Sequence, residues 1–122
     1  MAISESLKRG TVELMILTLL AEEDLYGYQL CQILTERSKG LYKMQQTTLY
    51  PTLYHLVEKK LVSDRVELIG RRRTRVYYHL EDAGRVYLTE IRNNYLSLTQ
   101  GIFHVLGLSE IKEVSDEKSI SS

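Results

Sequence analysis

The chain has 122 residues, 43% of them hydrophobic and 26% charged, which fits one soluble domain or a small domain with an extra arm. Its 16 Lys and Arg are matched by 16 Asp and Glu, so global charge gives no draw towards a polyanion. The single cysteine, Cys31, excludes an internal disulfide and a multi-cysteine zinc site, and suits a reducing cytoplasm.

In chain order, the N-terminus "MAISESLKRG" lacks the basic-then-apolar layout of a signal peptide. The stretch "SLKRGTVELMILTLLAEE" (6–23) predicts one helix, with Val12, Met15, Ile16, Leu19 and Leu20 on one face and Leu14 and Leu17 on the other. A helix apolar nearly all round needs cover on two sides, here a domain core and a second subunit. Its most apolar run, "LMILTLLA", is too short to span a bilayer.

A second helix is expected within 24–40, broken from the first near Gly27 and stopped at Gly40. Cys31 lies on it beside Leu30 and reads as a small buried apolar residue. The segment "QQTTLYPTLYHLVEKKLV" (45–62) holds a third helix. Thr48 is its expected N-cap, which places Pro51 third in the helix, where a missing N–H is tolerated. Leu49, Leu53, Leu56 and Val57 face the core. Gln46, Thr47, Thr48, Tyr50 and Tyr54 lie at its start or around its other sides.

Alternation at Val62, Val66 and Leu68 predicts a strand over 61–70, and the bias of "TRVYYHL" predicts another over 74–80. Between them "GRRR" forms an arginine-loaded turn. Three helices followed by a hairpin give a mainly α fold with a small β-hairpin, a winged helix-turn-helix over 1–81. Residues 82–107 predict a long helix. Leu88, Ile91, Tyr95, Leu98, Ile102 and Val105 recur at intervals of 3, 4, 3, 4 and 3, a heptad seam that serves as a dimer arm. Gly107 suits its stop, and 108–122 forms a polar tail expected to be disordered.

The charge is unevenly placed. Residues 1–80 carry 12 basic and 9 acidic side chains, and four of the former crowd into "RRRTR" (71–75), with no acidic residue close in sequence. A recognition helix would present Gln46, Thr47 and Thr48 to base edges or phosphates, with Tyr50 and Tyr54 alongside. Arg71, Arg72, Arg73 and Arg75 would reach phosphate or the minor groove. His55, His79 and His104 are scattered without ligand spacing. No phosphate-cradling glycine motif, nucleophile elbow or acid/base pair stands out, so the sequence argues for neither an enzyme nor a metal or cofactor site.

The motifs "LYGYQL" (25–30), "TLYPTLYHL" (48–56), "GRRR" (70–73) and "RVYYHLEDAG" (75–84), in this order and spacing, resemble the signature of the PadR-like transcriptional regulators, over residues 10 to about 105. The length resembles the short subfamily with one C-terminal helix. That resemblance implies a winged helix-turn-helix homodimer that binds a palindromic double-stranded operator, usually as a repressor. It places Thr48 and Tyr50 on the recognition helix and Arg71 to Arg73 and Arg75 on the wing. Gly27 and Tyr28 match the turn before the second helix, with a structural role. It also implies a small aromatic or lipophilic effector between the subunits, in a pocket that would include Leu14, Leu17 and Tyr95. Tyr95 stands where some members carry a ligand-stacking tryptophan, and this chain has none. Glu81 replaces the threonine that often caps the last helix, so Asp82 is the expected cap. Two other readings remain open: a winged-helix protein-interaction module without a DNA target, and a small-molecule-binding or enzymatic dimer.

Overall fold

Gly10 divides what the spacing predicts as one helix over 6–23. Its φ of +94° is left-handed, a conformation a helix interior does not accept. The result is a short helix α1 (Glu5–Lys8), a turn, and α2 (Val12–Leu20). The structure, a computed structural model, describes residues 3–110, so the tail expected over 108–122 lies mostly outside the described residues. β1 (Leu25–Tyr26), α3 (Gly27–Arg37), α4 (Gln46–Glu58), β2 (Val62–Gly70), β3 (Arg73–Leu80) and α5 (Asp82–Leu106) follow.

The three strands form one antiparallel sheet in the order β1-β3-β2. Leu25 pairs with Tyr78 and Val62 with Leu80, and all four side chains are buried. Opposed residues share a face, so Tyr26, Arg65, Glu67, Arg75, Tyr77 and His79 line the other one. The two-residue β1 has too little alternation to show in the sequence. Its partner strand fixes it.

The core is leucine at helical spacing. Leu49, Leu53 and Leu56 of α4 have no accessible surface, and they meet Ile16, Leu17 and Leu20 of α2 and Leu30 and Leu34 of α3. Each such leucine contributes roughly 2 kcal/mol by leaving water. This is the winged helix, three helices against a small sheet.

Two compact units divide the chain, residues 1–92 and 93–122. The winged unit therefore extends past the expected boundary at 81/82. Tyr87, Leu88 and Ile91, from the start of α5, pack on its core. Gly84 permits this, because a Cβ there would collide with the Leu61 carbonyl oxygen. The same carbonyl accepts the Glu81 N–H at 3.0 Å. Asp82 is the first helical residue rather than the cap. The Glu81 carbonyl accepts the Arg85 N–H at 3.0 Å, which puts Glu81 at the cap position. A further bond joins α2 to α5: Tyr87 Oη donates to Glu13 Oε1 at 2.6 Å, and this bond, followed by burial, pushes the phenol up to about 12. In the second unit the helix ends as expected, with Gly107 at φ +77°.

Candidate nucleic-acid interface

The chain leaves α3 through a sharp turn. Lys39 and Gly40 both have positive φ, and the Gly40 N–H donates to the Thr35 carbonyl at 2.8 Å. Ser38 Oγ then accepts the Tyr42 N–H at 2.8 Å and donates to the Tyr42 carbonyl at 3.1 Å. This connection delivers the chain to α4.

α4 begins earlier than the threonine-cap expectation. Gln45 is the N-cap, and its carbonyl accepts the Thr48 and Leu49 N–H groups. Thr48 is thus inside the helix and half-buried, and its carbonyl accepts a bond from Thr52 Oγ1 at 2.9 Å. Pro51 is the sixth helical residue, not the third, and its ring lies on the exposed side.

Opposite the buried leucines, Gln46, Thr47, Tyr50, Pro51 and Tyr54 are exposed. Of the two tyrosines Tyr54 stands freer, at 68%. Tyr50, at 42%, leans across the start of α3 so closely that its hydroxyl occupies the space a side chain on Gly27 would need. Gly27 is therefore buried by the helix whose outer face it helps to shape. Tyr28 beside it is exposed, which a purely structural role for the residue does not require.

The wing is the hairpin of β2 and β3. Its turn is Arg71–Arg72, with Gly70 paired to Arg73 and Arg72 at φ +73°. A register shift between Leu68 and Gly70 marks a bulge just before the tip. Arg71, Arg72 and Arg73 are exposed, and among the described residues no carboxylate lies within ion-pair range of them. Arg75 differs from them. Its guanidinium sits 4.1 Å from the Tyr26 ring centroid, and that ring packs edge-on against Tyr77 at 5.5 Å.

Arg75 belongs to a network that the sequence did not disclose. Asp24 holds Arg65 Nη1 at 2.6 Å and His79 Nδ1 at 2.7 Å, while Arg65 Nε donates to Glu67 at 2.7 Å and its guanidinium lies over Tyr77. Burial pushes the Asp24 carboxyl up, but the bonds from His79 and Arg65 outweigh it and hold the group below its usual value. The network ties the segment before α3 to both strands of the wing.

The expected dimer seam divides between the two units. Leu88 and Ile91 are partly buried in the winged unit, whereas Tyr95, Leu98, Ile102 and Val105 are exposed in the second. Leu14 and Leu17, expected in an effector pocket, are buried inside the winged unit, Leu17 completely. Cys31 is half-buried, and burial pushes its thiol up. Among the described residues, no helix is long and apolar enough to cross a membrane.

Residues 16–90 match the sequence pattern of the transcriptional regulator PadR-like family. This chain belongs to the PadR-like family of transcriptional regulators. A transcriptional regulator of Mycobacterium tuberculosis is 36% identical over 85 residues, spanning 70% of this chain and 76% of its own. The Escherichia coli transcriptional regulator YqjI is 31% identical over 83 residues, 68% of this chain, and this chain matches only 38% of its length. Among solved structures, a PadR family transcriptional regulator from Eggerthella lenta superposes with a TM-score of 0.73 at 29% identity, covering 83% of this chain and 86% of that one. A transcriptional regulator from Clostridium thermocellum gives 0.73 at 26% identity, covering 82% and 96%. The PadR match ends at residue 90, close to where the winged unit ends.

Proposed function

We propose that this PadR-like regulator is a homodimeric, sequence-specific DNA-binding repressor. The observation that carries the reading is the two-sided α4: Leu49, Leu53 and Leu56 are fully buried, while Gln46, Thr47, Tyr50 and Tyr54 face outward; the wing adds an exposed arginine tip with no carboxylate in ion-pair range among the described residues. In the major groove, Gln46 would bond adenine through both amide groups, and Thr47 would offer a hydroxyl and a methyl. Tyr50 and Tyr54 donate to phosphate oxygens. Arg71, Arg72 and Arg73 contact the backbone or the minor groove, adding affinity and fixing position. Arg75 serves the wing's rigidity instead.

Dimerisation follows from the second unit. Tyr95, Leu98, Ile102 and Val105 form an exposed apolar stripe that a second copy would cover. Two-fold symmetry then calls for a pseudo-palindromic site, with half-sites about one helical turn or a multiple apart.

A second reading, a protein-interaction module, is favoured by one observation. The wing's other face exposes Val66 at 67% and Leu68 at 72%, with Ile69 and Val76 also exposed. Fluorescence anisotropy separates the two. The probe is a labelled duplex from upstream of the protein's own gene, against a scramble of equal composition at two salt concentrations. Tight binding to the native duplex, with weaker and more salt-sensitive binding to the scramble, supports the DNA reading. If neither that duplex nor fragments selected from the whole genome are preferred, the module reading replaces it.

A further inference from the structure

Lys8 is the buried charged side chain of the described residues, with 9% exposure. Its Nζ donates to the Lys43 carbonyl at 2.6 Å, pairs with Glu5 at 3.0 Å and lies 5.5 Å from the centroid of the Tyr42 ring. Thr11 grips the same loop, with its hydroxyl 2.7 Å from that of Tyr42. From the opposite side, Ser38 holds both the N–H and the carbonyl of Tyr42. Residues 42 and 43 are thus clasped between the N-terminal segment and the end of α3, just before α4 begins.

Stability is a poor explanation for this arrangement. Burying an ammonium is costly, and an apolar side chain of similar volume commonly serves a core as well or better. A charged donor on a carbonyl does what an apolar contact does not: it fixes the distance and direction of one peptide group. That matters here because Gln45 gives α4 no side-chain cap. The position of Gln46 and Thr47 therefore depends on how the preceding loop is held.

We propose that Lys8 is a positioning residue for base reading: the 5–11 segment clasps the Lys43 carbonyl and the Tyr42 side chain and so sets where Gln46 and Thr47 stand. The inference rests on the reading of α4 as the recognition helix. It assigns part of the protein's sequence discrimination to an element that need not touch DNA.

The test uses the full chain with Lys8→Met and, separately, Thr11→Val. Two quantities are read: amide hydrogen exchange at 43–49 in the free protein, and the ratio of affinities for the native and scrambled duplexes. The expected result for Lys8→Met is a folded protein with faster exchange at 43–49. Its discrimination falls by about tenfold, the effect of one lost charge-assisted hydrogen bond. The salt dependence stays unchanged, because a buried lysine that meets no phosphate releases no counterion. Thr11→Val moves exchange and discrimination the same way by a smaller factor. An unchanged ratio in a folded Lys8→Met overturns the proposal, and so does a loss of discrimination accompanied by a shallower salt slope. Should Lys8→Met not fold, an unchanged ratio in Thr11→Val overturns it. Failure of the wild-type chain to prefer any duplex sinks the recognition-helix reading instead, and the exchange data still decide whether the clasp exists.

Discussion

Replacing Arg71, Arg72 and Arg73 together by alanine should flatten the salt dependence of duplex binding by a calculable amount. All three are exposed, and among the described residues none has a carboxylate in ion-pair range, so each is free to replace a counterion on a phosphate. Each contact adds about 0.9 to the slope of log affinity against log salt, so the triple variant should lose about 2.7 per subunit engaged. Between 50 and 200 mM salt, the wild type should then lose about 40-fold more affinity than the variant for each subunit engaged. Arg75→Ala is the internal control. Its guanidinium is stacked on Tyr26, so the slope should stay near that of the wild type while the wing loosens. The assay is anisotropy titration at four or more salt concentrations, with circular dichroism to verify folding. A triple variant with the wild-type slope would show that the tip does not meet phosphate. A large change with Arg75→Ala would refute the division between free and stacked arginines.

Other substitutions separate packing from recognition. Gly84→Ala forces a methyl into the Leu61 carbonyl, which is backbone and has little room to yield; a loss of at least about 3 kcal/mol in denaturant unfolding is expected. Gly27→Ala meets only the far end of the flexible Tyr50 side chain, so stability should change by less than about 1 kcal/mol while duplex affinity shifts several-fold. Equal damage to both would show that Tyr50 is structural. The raised Tyr87 phenol predicts an alkaline instability. The unfolded tyrosine ionises near 10 and the folded one near 12, so its contribution is complete below 10 and lost as pH rises towards 12. Tyr87→Phe should flatten that alkaline limb, and unchanged pH dependence would assign the limb to other groups.

Much of the fold is legible because local spacing and tertiary burial agree. Leu49, Leu53 and Leu56 are one stripe in the sequence and one buried ridge in the structure. The arginine turn is legible for a similar reason, since the strands on both sides alternate. Misreadings occur where a single backbone conformation overrides a pattern. Gly10 breaks a helix whose apolar spacing runs on past it, and Gln45 starts α4 ahead of a threonine that would have capped it. Arg75 looks equivalent to its neighbours until its partner is known, and that partner, Tyr26, belongs to a strand of two residues. Asp24 contacts residues 41 and 55 positions away, a separation that no local pattern reveals. Lys8 carries no signal in the sequence, because burial of a lysine depends wholly on what the chain brings to it.

The packing of Tyr87, Leu88 and Ile91 into the winged unit bears on how a regulator of this kind is made in the cell. The winged unit holds a core built from residues of its own chain. Folding of this part is then expected to be a first-order event, finished on each chain separately, and the proposed pairing a later second-order one. The unfolding midpoint of the winged unit should stay constant across a hundredfold dilution. DNA affinity should fall over the same range, because a lone half reads a single half-site and forfeits the gain from two linked ones. The abundance of the protein would thereby set its grip on the operator without putting its fold at risk.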